Sequence, residues 1–90
     1  MRKIAILTVA AVTLGAASAQ AGSLGKPCTS APEAQWLPMA QLQAKVEAQG
    51  YKVQKAKLKN ACGEFYTLDK NGNRVELFVD PTNGQIIGQM

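Results

Sequence analysis

The sequence predicts an α+β fold in which one amphipathic helix packs on a three- to four-stranded antiparallel sheet. Three observations lead there. A single stripe of apolar residues at helical spacing occurs in residues 38–50; the segments after it read as strands; and clusters of turn formers separate those segments closely enough for hairpins. Together they make a two-layer sandwich of helix on sheet.

The first 21 residues stand apart from that fold. Arg2 and Lys3 give a positive start, "IAILTVAAVTLGAA" an apolar run, and "ASAQA" a small-residue end with the Ala-x-Ala pattern. This is the layout of a secretory signal peptide, with cleavage expected after Ala19 or Ala21. A membrane-spanning helix needs about 20 apolar residues, and this run is shorter. The expected destination is the bacterial periplasm or the medium.

Cleavage after Ala21 leaves 90 − 21 = 69 residues, one small domain. Removing Arg2 and Lys3 lowers the basic count from 10 to 8 against 6 acidic residues, so the net charge falls from +4 to +2. A nucleic-acid-binding domain would show a stronger, clustered basic face. A core this small supplies only about 3–5 kcal/mol, so a covalent staple is useful. Cys28 and Cys62 are the two cysteines of the chain, and an oxidising compartment favours a disulfide between them. A redox pair would favour Cys-x-x-Cys, and zinc wants about four ligands, which a chain without His does not offer.

Residues 22–35, "GSLGKPCTSAPEAQ", read as an extended N-terminal arm pinned near its middle by Cys28. The domain proper is placed at residues 36–90. Trp36 is expected to pack over the helix start as a hydrophobic staple, with an exposed partner-binding anchor as the alternative. Pro38 suits a first helical turn, and Met39, Leu42 and Val46 form the apolar stripe of a helix of about twelve residues that Gly50 ends.

"YKVQKAKLK" places Tyr51 and Val53 on one parity and Ala56 and Leu58 on the other, so a bulge near Gln54-Lys55 is needed to return both pairs to one face. "CGEFYTL" is a second strand of poor alternation whose buried face stays unassigned. Residues 69–73, "DKNGN", close a hairpin. In "RVELFVD" Val75, Leu77 and Val79 point inward and Arg74, Glu76 and Asp80 outward. Phe78 interrupts the polar side, which leaves it to cover an edge or meet the arm. "QIIG" adds a short last strand.

Asp80 ends a strand and invites a catalytic reading, yet residues 80–84, "DPTNG", fit a turn at every position. Without His no familiar nucleophile–base pair can be built, and no catalytic residue is expected. A calcium loop from Asp69, Asn71, Asn73 and Asp80 lacks the sixth-position Gly, where Arg74 stands, and no metal or cofactor is expected. Lys52, Lys55, Lys57 and Lys59 are read first as a solvated face that guards an edge strand. The sharper reading is a surface for anions, lipid head groups or an acidic peptide.

"WLPMAQLQAKVEAQGYKV", "NACGEFYTLDKNGNRVELFVD" and "DPTNGQII" in this order resemble the PepSY domain, in its short, stand-alone exported form, over about residues 28–88. The resemblance implies a helix on a small antiparallel sheet and no catalytic residues. It also implies a binding or regulatory role, since related domains occur in propeptides of secreted metallopeptidases and in envelope proteins. The expected partner is an envelope protein such as a peptidase; handling of a small anionic ligand or metal is the alternative. Gly63 departs from the pattern, where a larger strand residue is expected.

Overall fold

The structure is a computed structural model that describes residues 23–90. The segment expected to be a signal peptide, with its expected cleavage after Ala19 or Ala21, lies outside the described residues. Among the described residues the elements are a short 3-10 helix (Glu33–Gln35), one α-helix, α1 (Met39–Glu47), and four strands, β1 (Lys52–Lys59), β2 (Cys62–Leu68), β3 (Arg74–Val79) and β4 (Ile86–Gln89). The strands form one antiparallel sheet in the order β1-β2-β3-β4, as sequential hairpins dictate.

Pro38 is the N-cap of α1, and its carbonyl accepts the first helical bond from the Leu42 amide at 3.1 Å. Leu37, the residue before the cap, packs into the core with Leu42, so Leu37 rather than Trp36 holds the staple position. The helix is shorter than its apolar period suggests. After Glu47 the chain tightens into i→i+3 bonds, Gln49 to Val46 and Gly50 to Glu47, and Gly50 turns out at φ 100°.

Leu42 and Val46 of the helix meet Phe65, Leu77 and Val79 of the sheet in a fully buried core. Each such side chain contributes about 1.5–3 kcal/mol by leaving water. Tyr51, Val53, Ala56 and Val75 close its margins. Val53 and Ala56 reach the same face because the β1–β2 register shifts between Val53 and Lys55, the bulge that their opposite parities demand. Gly63 is also on the helix face. A Cβ there would stand 3.0 Å from the Phe65 ring and 3.7 Å from Leu42, so the missing side chain makes room for the Phe65 ring.

The other face of the sheet is covered too. The disulfide between Cys28 and Cys62 fastens the arm to the start of β2, with the two Cα atoms 4.9 Å apart. Nearer the N-terminus, Leu24 lies on Gly88 of β4, where a Cβ would come within 2.7 Å of it. Phe78 pairs with Gly88 across the strands and is completely buried. The arm therefore crosses the back of the sheet over Phe78, then rounds its end to reach α1 on the front. Being enclosed on both faces, β2 is buried almost throughout, and that is why it shows no polar alternation.

Candidate functional site

The register of β1 against β2 assembles the lysines. Lys52, Lys55, Lys57 and Lys59 pair with Leu68, Tyr66, Glu64 and Cys62, which share one parity of β2, so all four lysines lie on the arm-side face of the sheet. Without the bulge, Lys52 would face the helix instead. Ala56 and Leu58 take the alternate positions on the front. Leu58 remains 41 % exposed beside Gly63, a site residue that was not singled out from the sequence. Its signal was the plain alternation of "KAKLK".

β1 is an outer strand of the sheet, so its far side carries main-chain groups that β2 does not use. Along a strand, alternate side chains stand about 6.6 Å apart, so Lys55, Lys57 and Lys59 make a regularly spaced cationic row. Lys57 is steadied by Tyr66, whose ring centroid is 5.8 Å from its ammonium. A cation over an aromatic face at an exposed site is worth about 0.5–1 kcal/mol. Trp36 is elsewhere. It is half-buried, its indole N–H donates to the Ala31 carbonyl at 3.0 Å, and neighbouring Leu37 binds the Pro81 carbonyl beyond β3.

The two aspartates, Asp69 and Asp80, are used in turns. Asp80 Oδ1 accepts from the Thr82 amide at 2.8 Å and the Thr82 hydroxyl at 2.7 Å, while its carbonyl accepts from Gly84. Asp69 Oδ1 accepts from the amides of Asn71 and Asn73, both at 2.9 Å. The Asn73 amide foremost, with smaller help from Asn71 and Lys70, holds the Asp69 carboxyl below its ordinary range. Asp69 and Asp80 flank β3 at its two ends, and six extended residues span about 20 Å, so one calcium ion cannot reach both. Glu64 is 2 % exposed on the arm-covered face, between Lys57 and Phe78, and among the described residues its Oε1 meets no hydrogen-bond donor. An open groove of about 330 Å³ lies at the other end of the sheet, lined by Gln49, Gly50, Tyr51, Asp69, Lys70 and Asn71. None of the β1 lysines lines it.

The described residues thus form a helix on a four-stranded antiparallel sheet, with both aspartates in turns and a basic outer strand. The family described as "Peptidase propeptide and YPEB domain" matches residues 5–90, and the chain belongs to this PepSY family. Domains of this kind are in general non-catalytic and propeptide- or inhibitor-like. No curated protein and no solved structure matches the chain. Among the described residues no helix is long and apolar enough to cross a membrane.

Proposed function

We propose that the chain is exported, loses its signal peptide after Ala19 or Ala21, and acts in the periplasm as a non-catalytic module that binds and restrains an envelope protein such as a peptidase. The outer edge of β1 carries this reading: an eight-residue strand that, among the described residues, has a neighbouring strand on one side only. An extended segment of the partner would add to the sheet there through main-chain hydrogen bonds and be occluded by doing so. The β3–β4 turn is less suited. Pro81 and Gly84 are buried, and Gly84, at φ 79°, packs tightly against Lys45 of the helix.

Site-specific photo-crosslinking in the periplasm tests this. A crosslinker at Leu58 is expected to capture a protein partner, whereas one at Gln43 on α1 is not. Equal capture at both positions, or none at Leu58, would overturn the reading.

A further inference from the structure

The chemistry of β1 specifies what sort of segment could join it. On the arm side, Lys55, Lys57 and Lys59 repeat every second residue; on the helix side, Ala56 and the exposed Leu58 repeat at the same interval. A strand added beside β1 places its own side chains alternately on these two faces, at the same pitch. Cross-strand partners of opposite charge stabilise the pair and like charges oppose it. The row therefore disfavours a second copy of β1, which would set lysine against lysine, and favours a strand with carboxylates at alternate positions. The intervening residues of that strand would lie beside Ala56 and Leu58, where apolar side chains gain burial.

We propose that the β1 edge recognises an extended segment of a protein partner in which acidic and apolar residues alternate. Acidic residues would lie along Lys55, Lys57 and Lys59, and apolar residues beside Ala56 and Leu58. Lys52, on the same face across the bulge, extends the row with altered spacing and meets an acidic residue beyond the alternating core. The inference rests on the edge-binding reading above and adds the partner's sequence pattern to it.

The test uses the exported protein, purified with its disulfide intact, and synthetic peptides as probes. An eight-residue peptide of alternating Glu and Val is compared with one of the same composition in which the four Glu form a block. Bare surface attraction is strongly screened at about 150 mM salt and ignores the order of residues. The alternating peptide is expected to bind at least tenfold more tightly than the block peptide at that salt, and to slow hydrogen exchange of β1 amides. The K55E/K57E/K59E variant is expected to lose the binding and to regain it with a Lys-Val alternating peptide. A K55Q/K57Q/K59Q variant, which removes charge without reversing it, should also bind at least tenfold more weakly, and circular dichroism checks that both variants fold. Equal affinity for the two acidic peptides, unchanged binding by the variants, or no slowing of β1 exchange would each overturn the inference. If the Leu58 crosslinker captures a partner whose contacting segment lacks alternating carboxylates, edge binding stands and this inference alone falls.

Discussion

Asp69 and Asp80 show how a short acidic side chain is committed by its neighbours. Each lies at a strand end with Asn, Gly or Pro close by, and each carboxylate accepts nearby amides. Their turn role was legible because the spacing is local and needs no knowledge of the fold. The folded-state depression of the Asp69 pKa gives a sign that can be measured. Its contribution to stability is present above the unfolded value of about 3.9 and is lost as pH falls through the lower folded value. NMR should place the Asp69 carboxyl titration below about 3.9, with faster exchange of the Asn71 and Asn73 amides once it is protonated. A midpoint at or above the ordinary value would contradict the hydrogen bonding described. Gly63 is the opposite case. In one dimension it looks like a weak strand residue, and only the Phe65 ring 3.0 Å from its absent Cβ explains it.

At the scale of elements, α1, the strands and the bulge followed from period and parity, since each depends on residues a few positions apart. The end of α1 did not, because the last turn tightens into i→i+3 bonds that apolar spacing does not register. The β1–β2 connection carries a cost of its own. Asn60 and Ala61, at φ 53° and 59°, form the two-residue turn between Lys59 and Cys62. Asn accepts that conformation readily, whereas Ala is penalised by about 1–2 kcal/mol and Gly is not. Gly also loses more freedom on folding, by about 0.4–1 kcal/mol, so Ala61→Gly should stabilise by about 0.5 kcal/mol. For a domain this small the melting temperature should rise by about 2–4 °C in a calorimetric scan. A fall in melting temperature would show that the turn is not strained at Ala61.

For the whole molecule, the covalent link matters most where the arm crosses the sheet. Closing a loop between Cys28 and Cys62, 34 positions apart, stabilises by about 3–4 kcal/mol in the chain-entropy model. That is comparable to everything a core of this size supplies, about 3–5 kcal/mol. Replacing both cysteines with Ala should therefore lower the urea midpoint sharply. Amide exchange should quicken in β3 around Phe78 before it does in α1. A loss under about 1 kcal/mol would mean that the arm holds its place by packing alone, outside the range usual for a native disulfide in a small domain.

The amino-acid sequence by itself determined the helix stripe, the turns, the need for a bulge and the two cysteines, because hydrogen-bonding residues and side-chain period act over short distances. Tertiary structure alone decided that β2 is enclosed on both sides, that Phe78 meets the arm and that Glu64 is buried. It also decided that, among the described residues, no second strand covers the outer side of β1, beside the four lysines. Those outcomes depend on which segments cross in space, and a carboxylate, a lysine or a glycine carries no local mark of what will lie above it.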